Sequence, residues 1–140
     1  MTTGGLVNSG VDLDADDTYA RMAADELVRF GAPRGVVQAV PAATTRQDRT
    51  YASAVAVRHW LAANHSAVKS LDVVTLGPHA RRTRLMYQQA LGAGVAVGVI
   101  ALEDHGYDPD HWWRSSEGFK EVVGETIAYL YAWILFVPER

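Results

Sequence analysis

The segment with the clearest potential for chemistry is residues 77–82, which read Gly-Pro-His-Ala-Arg-Arg and open a predicted helix. The N-terminus of a helix carries partial positive charge, so Asp and Glu are favoured in its first turn. Here Arg81 and Arg82 occupy that turn, and Arg84 follows two residues later. An anion held by free backbone N–H groups and by the guanidinium groups would reverse this unfavourable interaction. The sequence therefore predicts an anion-binding site at this helix start.

His79 and Arg82 are the candidate catalytic residues of this site. Helical spacing places Arg81 on the polar side of the helix and Arg82 at the edge of its apolar face, so we expect Arg82 to reach over the end of the sheet. A histidine at this position suits a hydrogen-bonding or base role. Thr75 ends the preceding strand and Gly77 forms a tight connection, and ligands of parallel sheets bind at such strand ends. The alternative is that His79 caps the helix and the arginines are solvated.

Three further binding residues are predicted nearer the start of the chain. Gly4 and Gly5 form a pair that would let the backbone approach a ligand closely, although a double glycine there also suits a flexible tail. Thr50 lies at the start of another predicted helix, at the carboxyl side of a strand. Its hydroxyl group could bond a ligand or cap the helix, and capping is favoured.

Residues 12–17 resemble a calcium loop, because Asp12, Asp14 and Asp16 have the spacing of the first EF-hand ligands. However, Asp17 occupies the position of the required glycine, and Ala23 that of the bidentate glutamate. We therefore expect an acidic loop that complements a helix N-terminus, with Asp16 or Asp17 as its cap.

A second acidic segment, residues 103–113, follows the third predicted strand and contains two histidines and four carboxylates. His105 and His111 are six residues apart in a predicted loop, which is no standard spacing for metal ligands, so no metal is expected. A loop at this place could wall a pocket, with Trp112 or Trp113 as an apolar lid. The alternative is that the tryptophans cover the sheet edge.

The elements that must position these residues alternate along the chain. Three β-branched runs predict strands at residues 35–40, 71–76 and 95–100. Their nearly continuous apolar character is typical of a parallel sheet that is covered on both faces. Predicted helices cover residues 17–30, 49–63, 80–91 and 116–137. The last of them is expected to bury one apolar stripe, which consists of Phe119, Val122, Val123, Ile127, Leu130 and Ile134. The pattern predicts an α/β fold.

The composition limits the class of protein. A length of 140 residues suits one domain, residues 1–140. The net charge of -3 argues against a general nucleic-acid binder, and the lack of cysteine excludes disulfides, thiolate zinc sites and cysteine nucleophiles. The apolar run 126–137 is shorter than the ~20 residues of a membrane span, and no secretory signal opens the chain. We expect a soluble, cytoplasmic chain, or a membrane-associated one if an anchor lies upstream.

Several motifs together resemble the YdcF/SanA/ElyC family. They are the Gly4-Gly5 pair, Gly-Ala-Pro at 31–33, Asp-Arg-Thr-Tyr-Ala-Ser-Ala at 48–54, and Val-Val-Thr at 73–75 followed by His-Ala-Arg-Arg at 79–82. The resemblance implies a Rossmann-like three-layer sandwich with a mostly parallel sheet of three to four strands. It also implies a role in bacterial envelope homeostasis. Because one branch of the family is linked to S-adenosylmethionine binding, it implies this compound as a cofactor. Carried over by position, its pocket residues are Gly5, Thr50, Thr75, His79 and Arg82.

The chain departs from that family at its start, because the strand, glycine turn and helix that precede the double glycine are missing. The acidic residue that is usual in the next helix is also not matched, since Tyr19 stands there. A parallel strand without its neighbour has an open edge. We therefore expect an upstream segment or a second copy of the chain to cover it.

Two functions follow from these patterns. The first is a domain, enzymatic or not, that binds an anionic, nucleotide-type small molecule at the helix start. The second is a non-catalytic, envelope-associated interaction module, in which the basic turn binds a polyanion or a partner protein.

Overall fold

The computed structural model of the chain describes residues 1–4, 18–43, 45, 48–65 and 67–137. It divides into two compact units, Met1–Ala67 and Val68–Arg140, called here the N-terminal and C-terminal units. Both contain helices and parallel strands, so the predicted α/β class is confirmed. The four strands of the described residues form two parallel pairs. The assignment of the chain to a single domain stays a prediction. Within the described ranges, no helix has both the length and the apolar character needed to cross a bilayer.

The N-terminal unit packs two helices against one pair of strands. Its elements are β1 (Thr2–Gly4), α1 (Tyr19–Arg29), a 3-10 helix (Arg34–Val36), β2 (Ala39–Pro41) and α2 (Arg49–Asn64). β1 pairs with β2 in parallel. The predicted strand 35–40 is wrong over residues 35–38, because β2 begins only at Ala39. Pro33, with its φ of -60°, leads there into the 3-10 helix rather than into an extended run.

The N-terminal cap of α1 also differs from the prediction. Thr18, not Asp16 or Asp17, is the cap, and its hydroxyl oxygen accepts a hydrogen bond from the Arg21 N–H at 3.2 Å. Thr18 has the extended backbone that a capping residue needs. Asp16 and Asp17, like the rest of the acidic run 12–17, lie outside the described residues.

The C-terminal unit has the order strand, helix, strand, helix. Its elements are β3 (Ser70–Leu76), α3 (His79–Leu91), β4 (Ala96–Leu102), a 3-10 helix (Pro109–Arg114) and α4 (Ser116–Ile134). β3 and β4 are parallel and in register from Ser70–Ala96 to Leu76–Leu102. α3 packs against both strands, and α4 packs against α3.

Side chains alternate across the β3–β4 pair, and only one face carries α3. Val97 is buried beneath that helix. On the opposite face Val74, Leu76, Ile100 and Leu102 are each about half exposed. The predicted coverage of both sheet faces is therefore not found in the described part of this unit. The face opposite α3 is an apolar, half-exposed surface.

α4 does not bury the apolar stripe predicted for it. Phe119, Ile127, Leu130 and Ile134 are all exposed, whereas Val122 and Val123 are half-buried. The buried residues of α4 are Gly118 and Ala132. The helix therefore approaches its neighbours through small residues, and its large apolar side chains are exposed.

Gly118 lets α4 approach the preceding loop closely. A Cβ atom at this position would lie 2.6 Å from the backbone oxygen of Trp112 and 2.8 Å from the ring of Tyr107. Gly124, in the same helix, has nothing within 4 Å of the corresponding position.

We therefore predict opposite effects for two substitutions in α4. Gly118→Ala should lower the free energy of unfolding by about 1–3 kcal/mol, because backbone and ring must shift. Gly124→Ala is the matched control and should raise it by about 0.5–1 kcal/mol through helix propensity. Urea unfolding measures both. Equal effects of the two substitutions would contradict the packing of α4 on this loop.

Candidate functional site

The turn between β3 and α3 is fastened to the neighbouring strand. Gly77 has a φ of 42°, a left-handed conformation that favours glycine, and its N–H donates to the Leu102 carbonyl oxygen at 2.8 Å. Pro78 follows as the N-cap, and α3 begins at His79. The turn thus sets the start of α3 beside the carboxyl ends of both parallel strands.

The positive end of the α3 dipole is not neutralised by any side chain of its first turn. No side chain caps the helix, since the N-cap residue is proline, and no acidic residue lies in the first turn. The Ala80 N–H reaches back to the Gly77 carbonyl oxygen at 3.3 Å, which is a long hydrogen bond. This turn therefore has the electrostatic character that the sequence predicts for an anion site.

Arg82 pairs with an anion that the chain itself supplies. Its Nε and Nη2 donate to Oε2 and Oε1 of Glu125 on α4, each at 2.9 Å, which is the two-pronged geometry of strong guanidinium–carboxylate pairs. The side chains of Arg82 and Glu125 are only 20% and 21% exposed. Glu125 was not among the predicted site residues. No local signal sets it apart, since Glu117 and Glu121 precede it in the same helix.

His79 completes this cluster. Its Nδ1 lies 3.0 Å from Glu125 Oε1 and 2.9 Å from Arg82 Nη2. The side chain is 34% exposed, and its Nε2 has no hydrogen-bond partner among the described residues. We call these three residues the His–Arg–Glu cluster. It brings the two predicted catalytic residues together.

The pKa of Glu125 reflects two opposing influences. Burial raises it, but hydrogen bonds from Arg82 and His79, together with the positive charge of Arg82, outweigh burial and hold the pKa below its usual value. The carboxylate is therefore ionised at neutral pH and balances the charge of Arg82.

The three arginines of α3 have different environments. Arg84 Nε donates to the Val97 carbonyl oxygen at 2.9 Å, so it ties α3 to β4. Arg81 is exposed, and its side chain makes no hydrogen bond or ion pair with the described residues. Of the three, Arg81 is thus the one whose guanidinium group makes no contact with the described residues, whereas Arg82 was the predicted ligand contact.

Tyr107 lies next to the turn and was also missed. A Cβ atom at Gly77 would lie 3.5 Å from its hydroxyl oxygen, and the Tyr107 ring contacts Gly118. Burial, followed by the charges of Glu121 and Asp104, raises the pKa of Tyr107. Its hydroxyl therefore stays a neutral donor beside the turn.

The remaining predicted binding residues lie in three places. Thr75 is half-buried near the end of β3, opposite Ala101. Gly4 and Thr50 belong to the N-terminal unit, and Gly5 lies outside the described residues. A Cβ atom at Gly4 would lie 2.7 Å from that of Tyr19, so this glycine allows β1 to meet the start of α1. Thr50 is the second residue of α2, whose N-cap is Asp48.

The loop after β4 forms a small aromatic cluster. Trp112 meets Trp113 edge-on with 5.8 Å between ring centroids, and lies 6.2 Å from Phe119. Trp112 is half-buried and Trp113 is exposed. His111 Nδ1 lies 2.7 Å from Asp108 Oδ2, and this hydrogen bond is the main cause of the lowered pKa of Asp108. Trp112 thus packs at the start of α4.

No group of three or more metal-ligating side chains is found in the described ranges. A cleft of about 260 Å³ lies in the N-terminal unit. It is lined by Arg21, Ala24, Asp25, Val28, Arg34, Val37 and Ala39. None of these residues was predicted to act, and the charged ones carry both signs.

Comparisons with family profiles, with curated proteins and with solved structures find no match for this chain. The resemblance to the YdcF/SanA/ElyC family therefore stays a prediction that depends on the motifs alone.

The lowered pKa of Glu125 predicts how the stability of the fold depends on pH. Ionised Glu125 stabilises the folded state above its unfolded pKa, near the usual 4.5, and this contribution is lost as the pH falls through the lower folded pKa. Glu125→Gln should therefore lower the free energy of unfolding at neutral pH, and its difference from the wild type should shrink below pH 4.5.

Urea unfolding across this pH range measures the effect. Glu121→Gln, one turn earlier and exposed, is the matched control and should change stability by less than about 0.5 kcal/mol. A wild-type advantage over Glu125→Gln that is equally large at acidic and neutral pH would contradict the ionised pairing.

Proposed function

We propose that the start of α3 binds the anionic group of a small molecule. The observation that carries this proposal is the first turn of α3, which is uncapped, free of acidic residues and next to the ends of two parallel strands. Backbone N–H groups at such a place favour negative charge, and ligands of parallel sheets bind at that edge. Arg81 supplies an exposed cation, and His79 supplies a partly exposed ring.

The ligand class in this proposal is a nucleotide-type anion. S-adenosylmethionine and the envelope role are included through the resemblance, and so is Thr75, near the end of β3, as a binding residue. Arg82 shares its charge with Glu125, so the proposal assigns the ligand's charge mainly to Arg81 and to the backbone.

The proposal also includes one Rossmann-like sheet of three to four strands. What supports this is that both strand pairs are parallel, as the strands of a Rossmann-like sheet are. The half-exposed apolar face that contains Val74 and Ile100 agrees with a further layer over β3 and β4. A second copy of the chain at the sheet edge stays part of the same proposal.

A second candidate function is the non-catalytic interaction module. It is favoured by the exposed apolar side chains of α4, which include Ile127, Trp133 and Ile134, because large exposed apolar patches mark interaction sites. In that case the basic turn would contribute charge to a polyanion or protein surface, and His79 would have no special part.

Titration with inorganic phosphate separates these functions. In a titration at low salt that is followed by amide resonances, phosphate should perturb residues 77 and 79–81 first. His79→Ala and Arg81→Gln should each weaken binding about threefold to tenfold, because each removes one contact to the anion. Lys69→Gln removes an exposed positive charge just before β3, at the opposite end of the strand, and should leave binding unchanged.

Two results would overturn the proposed anion site. One is the absence of any phosphate response at residues 77–81. The other is an equal loss of affinity in Lys69→Gln and Arg81→Gln with none in His79→Ala, which would indicate binding by net charge and favour the interaction module. Parallel titration with S-adenosylmethionine tests the narrower ligand assignment.

A further inference from the structure

The face of α4 that packs on its own unit repeats every seven residues. It contains Gly118, Glu125 and Ala132. Gly118 and Ala132 are buried, and the side chain of Glu125 is 21% exposed. Glu125 accepts hydrogen bonds from Arg82, and the Ala132 carbonyl oxygen accepts one from Gln89, both on α3. This face therefore holds α4 against α3.

The opposite face of α4 carries an apolar seam. Its residues are Val123, Ile127, Leu130 and Ile134, which we call the outer seam. At about 100° per residue, Ile127 and Leu130 lie about 200° and 140° around the helix from Glu125, so they straddle the side that faces away from α3. The spacing of four, three and four residues is typical of a helix that packs lengthwise on another helix. The pattern therefore indicates an α-helix as the partner.

The exposed apolar area of α4 is close to what a stable dimer needs. Six of its large apolar side chains are between 44% and 64% exposed, namely Phe119, Ile127, Leu130, Tyr131, Trp133 and Ile134. A large side chain has about 200 Å² of surface, so together the six expose roughly 700 Å². The largest apolar patch of a typical monomer covers about 300–600 Å², whereas a specific interface buries about 800 Å² on each partner. The size of this surface thus favours an interface.

The charges of α4 disfavour a membrane surface as the occupant. Helices that lie on membranes are rich in Lys and Arg on their polar face. α4 instead carries three glutamates and a single basic residue, Lys120, all in its first half. Residues 126–137 contain no charged residue. An uncharged helix face of a protein matches this half of α4, and the same stretch of a second copy is such a face.

Lys120 decides the orientation of such a pair, because it precedes Ile127 by seven residues and extends the outer seam. In a parallel pair each seam position faces its own copy, so the two Lys120 side chains would repel. An antiparallel pair brings Lys120 to the C-terminal end of the partner's α4, where free carbonyl groups carry partial negative charge and the last turn has no basic residue. It also sets Ile127 against the partner's Leu130, and Val123 against the partner's Ile134.

We propose that the outer seam is a homodimer interface, on which α4 of a second copy of this chain packs in antiparallel orientation. Both copies use the same residues, so the dimer closes on itself. The exposed apolar side chains of α4 then need no other partner. The anion site proposed at the start of α3 is a separate matter, since the interface uses none of its residues.

Sedimentation equilibrium of the full chain tests the interface. The wild type should be a dimer above about 10 µM, and Ile127→Lys should weaken the dimer at least about a hundredfold, because each copy then brings an unpaired charge to the centre of the seam. Ile127 is 63% exposed, so this variant should keep its fold, which circular dichroism checks. Glu121→Gln is the matched control. It changes the net charge by the same amount at an exposed position outside the seam and should leave the dimer unchanged.

Two results would overturn the proposal. One is a wild type that stays monomeric at about 100 µM, which is the outcome if another segment of the chain covers the seam or if the helix binds phosphatidylcholine vesicles instead. The other is a dimer that Ile127→Lys leaves intact, because the two copies then meet at another surface.

Disulfide trapping tests the orientation, and the chain has no cysteine that would interfere. A disulfide requires Cα atoms within about 7 Å of each other. A mixture of Val123→Cys and Ile134→Cys should therefore form a cross-linked dimer on oxidation. Neither variant alone should do so, because the two copies of position 123, like those of position 134, lie roughly 16 Å apart along the antiparallel pair. Cross-linking of Ile134→Cys with itself would contradict the antiparallel arrangement.

Discussion

The pairing of Arg82 with Glu125 is the interaction on which the rest of this account depends. Arginine in the first turn of a helix is unfavourable unless negative charge meets it. The chain meets Arg82 with a carboxylate from α4, held by two hydrogen bonds of 2.9 Å. The charge of Arg82 is therefore balanced within the chain, by Glu125. What remains available at the start of α3 is the backbone dipole, the exposed Arg81 and the outer edge of His79.

The same pairing helps to fix where α4 lies. Arg82 reaches Glu125, and Gln89 donates to the Ala132 carbonyl oxygen, so both contacts join residues 43 apart and the two helices run in the same direction. The large apolar side chains of α4 contribute little burial, since it buries Gly118 and Ala132. Polar contacts from Arg82 and Gln89, rather than a broad apolar seam, therefore set its register against α3.

Local sequence patterns predicted much of the fold, but they could not predict contacts between residues that are far apart in the sequence. The apolar runs and helical spacing placed β3, β4 and α3 within two residues of their observed bounds, because each has its own periodicity and stop signals. The 3-10 helix at Arg34–Val36 and the exposed stripe of α4 were missed, because proline geometry and tertiary packing decided them. Glu125 was missed for the same reason, since no periodicity links residues so far apart in the sequence.

A double-mutant cycle between Arg82→Gln and Glu125→Gln tests the central pairing most directly. The free energies of unfolding of the wild type, the two single variants and the double variant give the coupling between the two side chains. A two-pronged, partly buried ion pair predicts a coupling of about 1–3 kcal/mol, whereas a parallel cycle of Arg82 with Glu121 should give almost none. A coupling below about 0.3 kcal/mol for Arg82 and Glu125, as found for independent sites, would contradict the account.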